Sequence, residues 1–313
     1  MFGIVKRGFF QGLQVSWTLG KVVFPVTILV MFLQYTPILP AIIKWIEPLM
    51  NLLGLPGEAA MPLVLANALN LYAGIGAIVS LEFTVKEVFI LALMMSFSHN
   101  LFIESAVASK VGVSWWLISG IRIGLAFVSA FIINLVWQGG TEIAQYGFIS
   151  ASEVVLDGWL DIILHSLQTA IIAVLQLVLI ILPLMIAIQF LREKGWLAAL
   201  SNWFAPFTKL MGMEKNTSMT LVTGLTMGLA FGAGVMIQAV QEDGVSRKDT
   251  LLALIFLVTC HAVIEDTVVF IPLGIPVWPL LVIRLVMAIV LTMTIAFIWN
   301  RVEGRRKEVY YEH

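Results

Sequence analysis

Histidine and carboxylate side chains recur with similar spacing in the two halves of this 313-residue chain. The set consists of His99, Glu104, His261, Glu265 and Asp266, together with the amide Asn100 beside His99. Residues four apart lie on the same face of an α-helix. We therefore expect His261 beside Glu265, and Asn100 beside Glu104. Because an imidazole and a carboxylate within reach can exchange a proton near neutral pH, the pattern predicts a proton relay or a cation site.

Composition indicates what surrounds these polar groups. Hydrophobic residues form 60% of the chain and charged residues 12%, whereas soluble domains have about 45–50% and 25%. The mean hydropathy is +0.99, and a helix needs about 20 apolar residues to cross a bilayer. These values predict an all-α integral membrane protein whose main partner is the lipid bilayer. The net charge of −1 gives no sign of a nucleic-acid partner, and the single Cys260 excludes an internal disulfide.

A second interpretation of the charged residues is purely structural. An ionisable group at membrane depth costs roughly 3 kcal/mol and usually faces a cavity or an opposite charge. Arg122 and Arg284 occupy equivalent positions after the two polar clusters. Arg122 would then pair with Glu104. Arg284 would pair with Glu265 or Asp266, and the pairs would only lock helices together.

The chain contains one module twice. A shift of 158 residues aligns seven identical pairs: Pro25 with Pro183, Trp45 with Trp203, Pro48 with Pro206, Gly54 with Gly212, Met61 with Met219, Gly74 with Gly232 and Gly76 with Gly234. Four extra residues follow in the second half. A shift of 162 then aligns His99 with His261, Glu104 with Asp266, Ser105 with Thr267 and Arg122 with Arg284. We predict a first repeat over 1–137, an acidic external linker over 138–159, and a second repeat over 160–313 with a basic cytoplasmic tail.

Each repeat has the same predicted plan of crossings, an interfacial helix and a glycine-rich hairpin. In the first repeat these are an amphipathic segment Ile4–Trp17, a crossing Leu19–Leu33, an interfacial helix Pro40–Leu53, a hairpin Glu58–Leu81 interrupted at Tyr72–Gly76, and crossings Glu87–Ser109 and Trp115–Trp137. In the second they are Leu160–Leu191, Trp196–Leu210, a hairpin Thr217–Val240, and crossings Thr250–Ile271 and Val277–Trp299.

Charge placement favours hairpins that are re-entrant. Each repeat then has three transmembrane helices, so the repeats are inverted and both termini are cytoplasmic. Outside the polar clusters, fourteen Lys and Arg residues fall on the cytoplasmic side and only Lys44 and Lys86 fall outside, as the positive-inside rule requires. Inverted repeats with broken helices are typical of secondary transporters, which bind their substrates near the midplane.

The hairpin sequence resembles a known family. The run Gly54-Leu-Pro-Gly-Glu58-Ala, followed by Ala68-Leu-Asn70 and a glycine-rich segment, is similar to the nucleoside recognition (Gate) domain. That family resembles parts of the concentrative nucleoside transporters and of the bacterial ferrous-iron transporter, and it includes spore maturation membrane proteins. The resemblance implies a transport role in a prokaryotic cell membrane.

The resemblance also bears on the substrate. In the nucleoside transporters the hairpin reads Asn-Ile-Phe-Leu-Gly-Gln-Thr-Glu, and its Gln and Glu help to read the nucleoside. Asn70 and Gly74 match this pattern, whereas Ile75, Gly76 and Ala77 replace the Gln, Thr and Glu. The resemblance therefore implies the fold and a transport role without the side chains that read a nucleoside.

These patterns together predict a transporter for a small solute or ion. We expect the site to combine the polar clusters with residues of both hairpins, namely Asn67, Asn70, Gly74, Gly76, Gly232 and Gly234. A proton, a divalent cation, an anion and a nucleoside all stay open as substrates. So do a non-transporting scaffold and a homo-oligomer. HExxH, GxSxG and phosphate-binding glycine motifs are absent from the sequence, so we expect neither an enzyme nor a bound cofactor.

Overall fold

The structure is a computed structural model that describes residues 2–34, 36, 38–147, 158–229 and 245–311. Within those residues the named secondary structure elements are all helical, so the protein is an all-α membrane protein. Contacts divide the chain into two compact units. Unit 1 consists of Met1–Phe102, Ile123–Phe190 and Glu265–Leu280, and unit 2 of Ile103–Arg122, Leu191–Ile264 and Leu281–His313. Each unit thus contains segments from both predicted repeats.

Thirteen α-helices are formed by the described residues. In chain order they are α1 Phe2–Gln34, α2 Ile38–Leu52, α3 Ala60–Ala68, α4 Leu71–Ile78, α5 Val85–Phe97, α6 Leu101–Lys110, α7 Trp115–Val136, α8 Trp159–Glu193, α9 Trp196–Leu210, α10 Ser218–Met227, α11 Arg247–Thr259, α12 Glu265–Val268 and α13 Val277–Tyr311. Short 3₁₀ turns occur at Gly57–Ala59, Lys215–Thr217 and Ile271–Leu273.

Five stretches of the described residues are helical, long and apolar enough to cross a membrane: Phe2–Leu33, Val85–Lys110, Trp115–Val136, Trp159–Leu191 and Val277–Glu303. They correspond to five of the six predicted crossings. The sixth prediction, a crossing helix over Thr250–Ile271, is wrong in detail, because α11 ends at Thr259 and α12 begins only at Glu265. The Glu87–Ser109 crossing is also interrupted, between α5 and α6.

The two halves of the chain use the same elements at the offsets found in the sequence. The bounds of α2 and α9 differ by 158 residues at both ends, and so do those of the first two 3₁₀ turns. The bounds of α5 and α11 differ by 162. The breaks after α5 and α11 match as well, because Asn100 (φ 47°) and Ala262 (φ 41°) both have positive φ. The repeated sequence therefore folds into repeated local structure.

In unit 1, the equivalent helices α1 and α8 pack against each other along glycines. A Cβ added at Gly8 would lie 2.7 Å from the Cα of Ile186, and one at Gly20 would lie 3.3 Å from a methyl group of Val174. As the residue number increases along α1, the residue number of the contacting position on α8 decreases. The two helices are therefore antiparallel. The prediction of a separate amphipathic segment over 4–17 is wrong, because α1 runs from Phe2 to Gln34 as one helix.

The first hairpin consists of two short helices, α3 and α4. With nine and eight residues, they extend about 14 Å and 12 Å at 1.5 Å per residue, so neither can cross the hydrocarbon core. The sequence placed the interruption at Tyr72–Gly76, but the chain breaks at Leu69 and Asn70. The break lies there because extended Asn70 caps α4, accepting a hydrogen bond from the Ala73 amide at 3.0 Å.

The described part of the inter-repeat linker is packed against unit 1. The amides of Val85 and Lys86 donate to carbonyls of Glu142 and Gly140 at 2.9 and 2.8 Å. Further along, Gln176 of α8 donates to the Tyr146 carbonyl at 3.2 Å. Burial raises the pKa of the Tyr146 phenol above its ordinary value, so this group stays uncharged at physiological pH. The linker is thus an ordered strap over residues 139–147, which its polar composition did not indicate.

Unit 2 has its own hydrophobic core. It forms where α10 and α11 pack together with residues of α6, α7 and α13, including Ala108, Ile118 and Ala288. The side chain of Leu257 occupies the space that a Cβ at Gly224 would need. This close contact sets the position of α10 beside the break that follows α11.

Candidate functional site

Both candidate histidines lie just after a helix ends, His99 after α5 and His261 after α11. The Nδ1 atom of His99 is 2.7 Å from the carbonyl oxygen of Met95, and that of His261 is 2.8 Å from the carbonyl of Leu257. A carbonyl oxygen can only accept, so each Nδ1 carries a proton and donates it. Each ring thereby satisfies a carbonyl that the end of the helix leaves unpaired.

The interruptions separate the residues that the sequence placed on shared helical faces. Asn100 lies before α6 begins, and His261 lies before α12 begins. The predictions that Asn100 shares a helical face with Glu104, and His261 with Glu265, are therefore wrong. The four-residue rule holds only within an unbroken helix, and the histidines meet other carboxylates instead.

Each break is held by main-chain hydrogen bonding to an earlier helix of the same half of the chain, α3 in the first half and α10 in the second. The Asn100 amide donates to the Ala66 carbonyl at 2.7 Å, and the Ala262 amide to the Gly224 carbonyl at 3.0 Å. Positive φ costs a residue other than glycine roughly 1–2 kcal/mol, so these bonds help to hold an unfavourable backbone. These bonds connect α3 and α10 directly to the residues that follow the two histidines.

In unit 2, Glu104 stands between an arginine and a histidine. Its Oε2 is 2.7 Å from Nη2 of Arg122, and its Oε1 is 3.3 Å from Nε2 of His261. The Arg122 side chain is fully buried and that of Glu104 is 12% exposed. The ion pair predicted between Arg122 and Glu104 is therefore present, with an imidazole on the other carboxylate oxygen.

This geometry allows Glu104 and His261 to share a proton. Nδ1 of His261 already donates to a carbonyl, so a neutral ring would present the lone pair of Nε2 to the carboxylate. At 3.3 Å that contact is repulsive unless either Nε2 or the carboxyl carries one more proton. The pair can thus hold an exchangeable proton, while Arg122 stabilises the carboxylate when it is ionised.

Arg284, the equivalent of Arg122 in the second repeat, also contacts the break. Nη2 of fully buried Arg284 donates to the carbonyl of His261 at 2.8 Å. The pairing of Arg284 with Glu265 or Asp266 stays a prediction. Ser119 donates to Ser105 at 2.9 Å, which ties α7 to α6 next to Glu104.

Unit 1 contains a second acid and imidazole pair. A ligand atom of His99 and a carboxylate oxygen of Asp266 lie within 4.8 Å of each other, and both residues are buried. Under the 162-residue shift, His99 and Asp266 correspond to His261 and Glu104. In both pairs, the histidine of one repeat therefore lies near the carboxylate of the other.

Two residues of unit 1 that the sequence did not place in the site also contact polar candidates. The hydroxyl of Tyr72 donates to Oε1 of Glu265 at 2.5 Å, and that of Ser98 donates to Oδ1 of Asn67 at 2.6 Å. Both hydroxyl residues are adjacent to features that the sequence did single out, the hairpin interruption and His99. That adjacency was the available signal, but the partner of Tyr72 lies 193 residues away.

The hairpin candidates have packing and capping contacts. Asn70 is the N-cap of α4. A Cβ at Gly74 would lie 2.5 Å from Sδ of Met95, and one at Gly76 would lie 3.1 Å from Oγ1 of Thr27. These glycines therefore permit α4 to approach α5 and α1, and they do not form the tip of the hairpin. Gly232 and Gly234 lie outside the described residues.

Comparison with known proteins identifies the family. The sequence profile of the nucleoside recognition (Gate) family matches residues 16–114 and 174–276. The chain belongs to this family. A relative, the uncharacterized membrane protein YvoD of Bacillus subtilis (strain 168), is 61% identical over 298 residues, which cover 95% of this chain and 96% of YvoD. No solved structure matches. The protein is thus a multi-pass membrane protein of the Gate family.

The Gate matches reproduce the internal repeat. They begin 158 residues apart and end 162 residues apart, which are the two offsets that align the halves of the chain. The matched ranges contain both histidines and all three carboxylates of the polar clusters, whereas Arg122 and Arg284 lie beyond the end of each match.

Proposed function

We propose that this protein is a secondary transporter that couples the movement of a small solute or ion to protons and has no catalytic activity. The observation that carries the proposal is the Glu104–His261 contact, which places an imidazole and a carboxylate where they can share a proton. A purely structural ion pair needs only Arg122 and Glu104. The imidazole on the second carboxylate oxygen adds a group that can receive the proton from Glu104 and return it.

We infer that the two copies of the Gate module are inverted in the membrane, with both termini cytoplasmic. Antiparallel α1 and α8, which are equivalent helices, support this arrangement. In each acid and imidazole pair, the histidine comes from one copy of the module and the carboxylate from the other. Such reciprocal contacts are expected when two copies are related by a two-fold axis, which supports the proposal. The distribution of lysine and arginine favours the same topology.

Proton exchange would be coupled to the hairpin through the break after α11. His261 is followed by Ala262 and Val263, whose amides donate to the Gly224 and Leu225 carbonyls of α10 at 3.0 and 2.7 Å. When the carboxylate of Glu104 becomes neutral, the imidazole loses an ionic partner. Its shift would pull on α10, and the hairpin would change position with the protonation state.

The hairpin of unit 1 supports a small substrate. Where nucleoside transporters carry a Gln and a Glu, this chain has Ile75 and Ala77, both buried in α4. Neither side chain can donate or accept a hydrogen bond with a nucleobase. The available polar groups are an amide, hydroxyls, imidazoles and carboxylates, which suit a proton, a divalent cation or a small polar solute.

The proposal is tested by flux into proteoliposomes. Purified protein would be screened with divalent cations, small anions and nucleosides, each with and without an imposed pH gradient. We expect at least one small solute or ion to accumulate only when the gradient is present, and internal pH to change with it. The control is Glu142→Gln, which alters an exposed linker carboxylate and should leave flux unchanged. If the uptake rate of every transported substrate is the same with and without the pH gradient, proton coupling is contradicted.

A further inference from the structure

Unit 1 has an apolar groove in the corner between the interfacial helix α2 and the hairpin helix α3. The chain bends by 90° between Lys44–Leu52 and Gly57–Ala68. The inner side of the bend leaves a cavity of about 280 Å³, which α5, α6 and α7 close from behind. Its lining on α3 extends from Ala60 to Asn67, about 10 Å of helix.

The groove offers almost only hydrocarbon to a ligand. Side chains such as Ile46, Leu63 and Phe127 line it, and Asn67 and Ser98 contribute its polar atoms. These two already bond to each other at 2.6 Å, and Asn67 also donates to the Leu63 carbonyl at 2.8 Å. An ion or a sugar would therefore lose hydration here without gaining partners.

The groove opens to the side of α2 and α3 that faces away from the unit. Leu49 and Val64 line it and are 48% and 60% exposed. On α2, Trp45 is 85% exposed, as expected for a tryptophan at the level of the lipid headgroups. The apolar material that surrounds such an opening in a bilayer is the acyl chains of phospholipids.

We propose that this groove binds one acyl chain of a bilayer phospholipid, with the headgroup at the level of α2. The side chains of the two helices leave this corner open, and apolar groups that lack neighbouring atoms forfeit packing contacts. The bound chain supplies those contacts and supports α3, the helix whose carbonyl at Ala66 holds the break beside His99. The phospholipid is thus a structural ligand of the hairpin.

Native mass spectrometry of protein purified in detergent tests this site without reference to transport. After extensive delipidation and addition of a defined phospholipid, we expect a one-to-one adduct that survives detergent exchange. Val64→Trp should fill the opening and reduce the adduct at least tenfold at equal lipid. Val128→Trp is the matched control, because Val128 is 52% exposed on α7 and does not line the groove; it should keep the adduct.

The experiment has clear opposite outcomes. An equal adduct in Val64→Trp and in wild type would overturn the proposal, as would a wild type that binds no phospholipid. A protein that retains free fatty acid but no phospholipid would show that the occupant is a different lipid. If Val64→Trp does not yield monodisperse protein, Leu49→Trp blocks the same opening from α2 and should lose the adduct in the same way.

Discussion

Replacing Glu104 with alanine is expected to lower the free energy of unfolding by about 3–5 kcal/mol. The substitution removes the carboxylate that lies 2.7 Å from the fully buried guanidinium of Arg122. A buried charge that loses its counter-ion keeps the cost of desolvation without the attraction that offset it. Thermal and denaturant unfolding of the purified protein in one detergent would measure the loss.

A double-mutant cycle identifies the origin of that loss. Arg122→Met removes the buried charge, so Glu104→Ala added to it should cost at least about 2 kcal/mol less than Glu104→Ala alone. Glu142→Gln is the surface control and should change stability by less than about 0.5 kcal/mol. Equal costs of Glu104→Ala in the presence and absence of Arg122 would show that the pair is not coupled.

The second large effect is expected on flux. Glu104→Gln and Asp266→Asn keep the size of each side chain but remove a group that can ionise, one from each acid and imidazole pair. Groups that transfer protons commonly contribute on the order of a hundredfold to a rate. We expect a loss of that order in proton-coupled uptake through either variant in proteoliposomes, with the dependence on the pH gradient abolished.

Stability measured beside flux separates transport from a purely structural role. Reconstituted yield, monodispersity and unfolding temperature would be recorded for each variant together with its uptake rate. Glu104→Gln should lower stability under either role, because Arg122 loses its counter-ion. A purely structural pair predicts that the folded fraction transports normally. A proton site predicts that the folded fraction no longer responds to the gradient. Unchanged flux and unchanged pH dependence in both variants would end the proton-exchange proposal.

Much of the helical layout could be predicted because bilayer and interface impose strong patterns on a sequence. The interfacial helix predicted at Trp196–Leu210 has those bounds in the structure. The prediction of Trp115–Trp137 ends one residue beyond α7. Long apolar runs and amphipathic segments are local properties, so one stretch of sequence is enough to identify them.

The interruptions after α5 and α11 could not be predicted in this way. Ser98, His99 and Asn100 include neither glycine nor proline, the usual signals of a break. The break is set by a bond between the Asn100 amide and Ala66, residues far apart in sequence. The Tyr72–Glu265 contact has the same character, since its partners come from opposite halves of the chain. Tertiary contacts therefore determine which side chains meet at the site, and local periodicity alone predicted the wrong partners.

Inversion of the two copies of the module in the membrane underlies both the topology and the proposed transport. Asn51 and Lys209 are equivalent under the 158-residue shift, lie near the ends of α2 and α9, and are both exposed. Each would be changed singly to cysteine in whole cells, where the native Cys260 is buried. An impermeant thiol reagent should label Asn51→Cys in intact cells and Lys209→Cys only after permeabilisation. Labelling of both variants from the same side would contradict the inverted arrangement and the transporter built on it.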